Sequence, residues 1–302
     1  MEAVNSYKHG EEDEAAVVAM AACGAYMLPM ALNAAVELDV FEIIAAAGDG
    51  ARLSSSDIAS RFPTAADGTA VMLESMLHML AAHSLLICSV ENGGGGVRRY
   101  GIAPAGKFFV RDESGASMGS HSIVVMKKVV KTYQGFEGLS CLVDVGGGTG
   151  SALCTIVSNY PSIHGINFDL PHVIKTAPSY TSIEHIGGDM FLEVPKGDAI
   201  LLKFILHNWG DEACENLLKC CYKSLPNKGK LIVMDYIMPH TPQTDIHAMY
   251  ASQMDLGMTT MLAGKERTRD EFEVLAMKAG FAGFKVVCYV YGMWIMEFIK
   301  SA

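Results

Sequence analysis

Four glycines fall within five residues, Gly146, Gly147, Gly148 and Gly150, and they close the apolar run Leu142-Val143-Asp144-Val145. A helix-like segment, Ala152 to Tyr160, follows. Glycines at such a strand-to-helix turn let the backbone approach a ligand closely, and the first amides of the helix are free to donate hydrogen bonds. The chemistry on offer is the cradling of a ligand. The dinucleotide spacing G-x-G-x-x-G/A is not met, because Ser151 occupies its last position, and this weakens a nicotinamide reading. Twenty-one residues beyond Gly148, the run Gly165-Ile-Asn-Phe-Asp169 ends a second apolar strand on an acid placed to accept hydrogen bonds from ribose hydroxyls. A nucleoside is therefore the expected ligand, with or without phosphates.

Regular alternation of strand and helix patterns from Cys141 onward must hold these residues. Strands are expected at Leu142–Val145, Ile166–Leu170, Glu184–Ile186, Ala199–Phe204, Lys230–Tyr236, Lys285–Val290 and Trp294–Ile299. Helices are expected at Ala152–Tyr160, His172–Thr176, Glu212–Ser224, Ile246–Met261 and Arg269–Ala279. Only Tyr291-Gly292-Met293 joins the last two strands, so they form a hairpin. The predicted sheet is mostly parallel with an antiparallel end. Ligands of such sheets bind beyond the carboxyl ends of the strands, where Gly146–Gly150, Asp169, Asp189 and the Lys203–His207 segment fall.

The preceding residues read differently. A helix after Ser54–Ser56, a second one over Thr69–Ser84 with a stripe of Met72, Leu73, Met76, Leu77, Met79 and Leu80, and two strands about a glycine tip at Gly93–Gly96 outline a winged helix. The would-be recognition helix carries Glu74 and no Lys or Arg, which argues for docking or dimerisation over DNA reading. A formal charge of −10 and a pI of about 5.4 also speak against nucleic-acid affinity. Ala15–Val36 runs 22 residues without a charge, but Pro29 and Asn33 interrupt it and no Lys or Arg flanks it between Lys8 and Arg52. It is expected as one or two helices buried on several sides, as in an intertwined dimer, and not as a membrane span. Eight scattered cysteines without C-x-x-C read as small buried hydrophobes in a reducing compartment, and the acidic start lacks a signal-peptide n-region. A cytoplasmic protein is expected.

Five motifs taken together, Leu142-Val-Asp-Val-Gly-Gly-Gly-Thr-Gly150, Gly165-Ile-Asn-Phe-Asp-Leu-Pro-His-Val173, Gly187-Gly-Asp-Met-Phe191, His207-Asn-Trp209 and Gly264-Lys-Glu-Arg-Thr268, resemble the plant small-molecule O-methyltransferases of the caffeic acid O-methyltransferase type. The resemblance implies an α/β fold: a Rossmann-like S-adenosylmethionine-dependent methyltransferase domain at 119–302 and an N-terminal helical, winged-helix-like dimerisation domain at 1–118. It implies a homodimer and a small phenolic acceptor, such as a phenylpropanoid or flavonoid. By motif position, Gly146 and Gly148 would pass under the methionine portion of S-adenosylmethionine. Asp169 would hold the ribose, Asp189 and Met190 would flank the adenine, and Lys203 would be a further contact. His207 matches the catalytic base, with Asp235 and Glu266 as the carboxylates that orient it. A phenol with a pKa of about 10 needs its proton removed as it attacks, and an imidazole is a suitable acceptor. At Asp235 close relatives often carry Glu, so a hydrogen bond to the imidazole would need a water or a shifted ring. No metal is expected, since the ten histidines show neither H-x-x-x-H nor H-x-H.

The chain departs from the family at Met118-Gly119-Ser120-His121-Ser122, where members carry several tens of additional, mostly helical residues that supply part of the acceptor pocket. Met254, Met258 and Met261 remain as pocket candidates, or as a plain core stripe. Two explanations follow: a methyltransferase with an open, altered acceptor site, or a shortened product, such as a splice form, that acts only as a dimerisation partner.

Overall fold

In the computed structural model, which describes residues 10–63, 66, 68–90, 96–111 and 121–301, the chain divides into two units, Met1–Ser120 and His121–Ala302. The first unit is helical: α1 (Glu11–Cys23), α2 (Met27–Glu37), α3 (Val40–Ala45), α4 (Ser55–Ala59) and α5 (Thr69–Ala82) precede the antiparallel pair β1 (Leu86–Val90) and β2 (Arg98–Ile102). Ser54 caps α4 reciprocally, its hydroxyl accepting from the Asp57 amide at 3.1 Å while Asp57 accepts from the Ser54 amide at 2.9 Å. The apolar stripe of α5 is narrower than its composition suggests. Leu73, Leu77 and Leu80, at i, i+4 and i+7, are buried with Phe41, Ile44, Ile58 and Tyr100, whereas Met72 on another face is exposed. Glu74 is internally engaged, bound to Arg98 at 3.1 Å and to the Tyr100 hydroxyl at 2.9 Å. The glycine tip, apart from Gly96, and Met118–Ser120 lie outside the described residues.

The burial expected for Ala15–Val36 is not found within one chain. α1 buries none of its residues and α2 only Ala35, because α1 is alanine-rich and has almost no amphipathic face to pack. Among the described residues no single helix is long and apolar enough to cross a membrane; α1 and α2 reach that length only together and are bent by 48°.

The second unit is a seven-stranded sheet. In chain order it contains α6 (His121–Thr132), β3 (Cys141–Val145), α7 (Ser151–Asn159), β4 (His164–Asp169), α8 (Pro171–Ile174), β5 (Ile183–Gly187), β6 (Ala199–Lys203), α9 (Asp211–Ser224), β7 (Lys230–Asp235), β8 (Ile237–Met238), α10 (Ile246–Leu262), β9 (Arg267–Thr268), α11 (Arg269–Lys278), β10 (Gly283–Val290) and β11 (Met293–Ile299). The strand order is β10-β11-β7-β6-β3-β4-β5, parallel from β7 to β5, with β11 antiparallel to both β7 and β10. Both faces are covered, so the central strands read as continuous apolar runs. Val143, Ile200 and Val233 pack with α9 and α11, while Leu142, Leu201 and Ile232 pack with α6 and α7. The two-residue tip Tyr291-Gly292 has positive φ at both positions, 48° and 92°, the twist a tight hairpin needs. β8 and β9 form a separate short parallel pair that hydrophobic patterning did not signal. Of the cysteines, only Cys214, Cys220 and Cys221 are buried; Cys23 and Cys88 are exposed, on a helix and a strand that leave those positions uncovered.

Candidate active site

The carboxyl ends of the parallel strands are brought level by register. Val145 lies opposite Phe168, Asp169 opposite Gly187 and Lys203 opposite Met234, the residue before Asp235. Chain order reverses between β3 and β6, which leaves a crevice at that switch point. The glycine turn enters it from β3 and the segment Phe204–Trp209 from β6.

The turn is held through its backbone. The Gly146 amide donates to the Phe168 carbonyl at 2.8 Å and the Gly148 amide to Asp169 Oδ2 at 2.8 Å. The Gly148 carbonyl accepts from Asn167 Nδ2 at 2.9 Å. Glycine is required at Gly146, where φ is 70° and a Cβ would come within 2.4 Å of Ile205 Cδ1. At Gly147 a Cβ would meet Asn167 Oδ1 at 2.2 Å. Asn167 in turn contacts His185 Nδ1 at 3.1 Å, and His185 Nε2 reaches the Pro178 carbonyl at 3.0 Å. Asn167 and His185 were missed at the sequence level. The available signal was strand period, since Asn167 shares its face of β4 with Asp169.

Around this turn lie two hollows. One, of about 410 Å³, is lined by Gly146, Asp169, Asp189 and Met190 together with Phe191 and Trp209. The other, of about 260 Å³, is lined by Gly146, Gly148 and Lys203 together with Asp144. The six residues expected around a nucleoside ligand are thus divided between them, with Gly146 common to both. Burial raises the pKa of Asp144 to about 7, against the pull of the Lys203 charge. Burial likewise depresses Lys203, against the charges of Asp144 and Asp235. The rim is open: Leu170 and Trp209 are 46% and 38% exposed.

His207 lies on a short 3₁₀ turn, Leu206–Asn208, after Phe204 has left the strand direction with a φ of 56°. A bulky residue in that left-handed region is strained and ends β6 one residue before the expected boundary. The Phe204 ring stacks on His207 at 5.5 Å and on Tyr236 at 5.2 Å. Glu266 Oε1 lies 2.7 Å from His207 Nδ1, and Asp235 Oδ1 lies 3.4 Å from the same nitrogen. The shorter carboxylate therefore stands off as an ion-pair partner while the longer one hydrogen-bonds. All three residues are buried, and Glu266 Oε2 and both Asp235 oxygens have no hydrogen-bond partner. Unpaired buried acceptors are rare outside sites that use their charge. Burial disfavours a charged His207 ring, but the Glu266 hydrogen bond and the two carboxylate charges outweigh it, and its pKa is raised. Burial, with the Glu266 charge, raises that of Asp235.

Long-range contacts hold Glu266 in place. Its amide donates to Asp255 Oδ1 on α10 at 2.9 Å, and the Lys265 amide donates to the His207 carbonyl at 3.0 Å. A Cβ on Gly264 would come within 2.0 Å of the His207 carbonyl oxygen, so only glycine permits this approach. On the same helix Met254 and Met258 are half-buried, but Met261 is 79% exposed, so the three methionines do not form one buried stripe. By distance His207, Asp235 and Glu266 could hold a metal, their ligand atoms lying within 4.8 Å of one another. Two ligands of a tetrahedral zinc lie about 3.3 Å apart, however, and a 2.7 Å separation is that of a hydrogen bond.

Residues 108–282 match the O-methyltransferase domain family and residues 20–112 the O-methyltransferase dimerisation domain. The chain is 42% identical to a caffeic acid 3-O-methyltransferase of Medicago sativa, over 97% of this chain and 96% of that one. It is 41% identical to an esculetin O-methyltransferase of Kitagawia praeruptora, over 96% of each. The latter alignment spans 352 positions, whereas 96% of 302 residues is about 290, so about sixty positions of the relative have no counterpart here. The fold is similar to that of human N-acetylserotonin methyltransferase solved with S-adenosylmethionine (TM-score 0.75, 19% identity, 98% of this chain and 100% of that one). It is also similar to a methyltransferase of calicheamicin biosynthesis (TM-score 0.78, 22% identity, the same coverage). With both domain matches, the relatives' identity and the site geometry in agreement, the chain belongs to the plant family of S-adenosylmethionine-dependent O-methyltransferases that carry an N-terminal dimerisation domain.

Proposed function

We propose that this protein methylates a hydroxyl of a small phenol, a phenylpropanoid or flavonoid, with His207 as general base and Asp235 and Glu266 as its supports. The single observation that carries the reading is the buried His207 ring with both carboxylates facing Nδ1, an arrangement that assigns Nε2 to the acceptor's proton. S-adenosylmethionine, when bound, supplies a methyl group on a positively charged sulfur. The chain's residues fit it: a glycine-only approach at Gly146, open space at Gly148, Asp169 at the end of β4 and Asp189 two residues beyond β5. Asp169 is the residue that would hold the ribose hydroxyls, Asp189 and Met190 the adenine, and Gly146, Gly148 and Lys203 the remainder. Nε2 of His207 takes the acceptor's proton, and the two carboxylates stabilise the resulting imidazolium. A phenolic acceptor is supported by relatives named for caffeic acid and esculetin.

A homodimer is part of the proposal, supported by the dimerisation-domain match and by the exposed Val17, Val18 and Met20 of α1. A cytoplasmic location is supported by eight free cysteines. The second reading, a dimerisation partner without turnover, draws on the missing sixty or so positions and the open rim.

Transfer of labelled methyl to catechols, methoxyphenols and flavonoids tests the choice. Label should enter an organic-extractable product and fall at least about a hundredfold in His207→Ala, with S-adenosylhomocysteine binding retained. A folded protein that labels no acceptor would favour the second reading, and unchanged turnover in the variant would remove His207 as base.

A further inference from the structure

Arg267 takes no part in the proton transfer, yet it is fully buried and all three of its guanidinium nitrogens donate hydrogen bonds. Nη1 donates to the Leu206 carbonyl at 2.8 Å and Nη2 to the Trp209 carbonyl at 2.8 Å. Nε and Nη2 donate to Asp211 Oδ1 at 3.0 and 2.7 Å. Leu206 and Trp209 bracket His207 and Asn208, so the fork grips the base-bearing turn on both sides. Its backbone lies opposite Ile237, two residues beyond Asp235, and directly follows Glu266. One residue therefore joins the three segments that supply the base and its two carboxylates. A buried charge is costly unless well paired, and an ammonium cannot reproduce five donors fixed in a plane.

We propose that Arg267 is a positioning residue that fixes the His207 ring against Glu266 by clamping the carbonyls of Leu206 and Trp209. The inference rests on His207 as base, and its test includes a readout that needs no turnover. In protein with nitrogen-labelled histidine, the proton of the Nδ1–Glu266 hydrogen bond is followed by NMR. Turnover and S-adenosylhomocysteine affinity are measured alongside. Arg267→Lys should displace or broaden that resonance and lower kcat about a hundredfold with affinity unchanged, the scale expected of a misplaced reacting group. Asp211→Asn removes the charge of a partner that is 56% exposed, keeps an amide oxygen to accept from Nε and Nη2, and spares both carbonyl bonds. It should leave the resonance in place and turnover within about fivefold.

Wild-type resonance and turnover in Arg267→Lys would overturn the proposal. So would an Asp211→Asn variant that loses the resonance, because the ion pair and not the clamp would then hold the ring. If the unmodified protein transfers no methyl group, the function proposed above fails by itself, and the resonance in the two variants still decides the clamp.

Discussion

The glycine turn and the His207 cluster lie at neighbouring strand ends but are built from opposite materials. The turn is backbone held by backbone and by two polar side chains of the adjacent strand, Asn167 and Asp169, and much of its surroundings is open. The cluster is three buried side chains from three separate segments, with acceptor oxygens left unpaired. A binding loop gains from amides that can face a ligand, and it tolerates water around them. A base has to keep its electrostatics out of water, where a carboxylate a few ångströms away acts far more strongly. On the proposed function, the difference predicts that binding and turnover are separable in this molecule.

The largest effect that would sharpen this contrast is expected from Glu266→Gln. It should lower kcat roughly a hundred- to a thousandfold while S-adenosylhomocysteine binding is kept. Glu266 raises the His207 pKa, and the proposed base works when neutral, so turnover in the unmodified protein should rise with pH through that raised value. In the variant the acid limb of the kcat–pH profile should move to lower pH; an unmoved limb would remove Glu266 as partner.

A pair of alanine substitutions comes next. Gly264→Ala pushes a Cβ against the His207 carbonyl and should cost about a hundredfold in kcat with binding intact. Gly147→Ala drives a Cβ into Asn167 and should instead weaken S-adenosylhomocysteine binding by about tenfold or more, as read by calorimetry. Equal loss of binding and turnover in both variants would show that the two regions are one unit.

The smallest effect concerns stability. Asp144 beside the turn has a folded-state pKa raised to about 7, and its Oδ2 has no partner. Its contribution to stability is complete below the ordinary aspartate pKa and is lost as pH rises to about 7. Asp144→Asn should therefore flatten stability over that window and leave the variant more stable at pH ~8, on the order of a few kcal/mol at most. Urea unfolding at several pH values measures this, and parallel curves would disprove it.

Much of the α/β unit was legible. Apolar runs bounded by Gly and Pro placed its seven main strands within a few residues, and the short Tyr291-Gly292 connection required a hairpin. The β8–β9 pair was not legible, because two residues are too few to show a period. Nor was the exposure of α1 within one chain, because an alanine-rich run is equally compatible with a buried and an open helix.

For the site, local sequence by itself determined the glycine turn and the acid at the end of the next strand, since both are properties of short segments with fixed conformational demands. Motif resemblance pointed to His207, Asp235 and Glu266. Only the tertiary structure decided that Glu266 hydrogen-bonds the ring while Asp235 stands off at 3.4 Å, and that Gly264, Asp255 and Arg267 hold the assembly together. Those contacts join residues up to 61 positions apart, and no local period or spacing encodes the packing that closes such a distance.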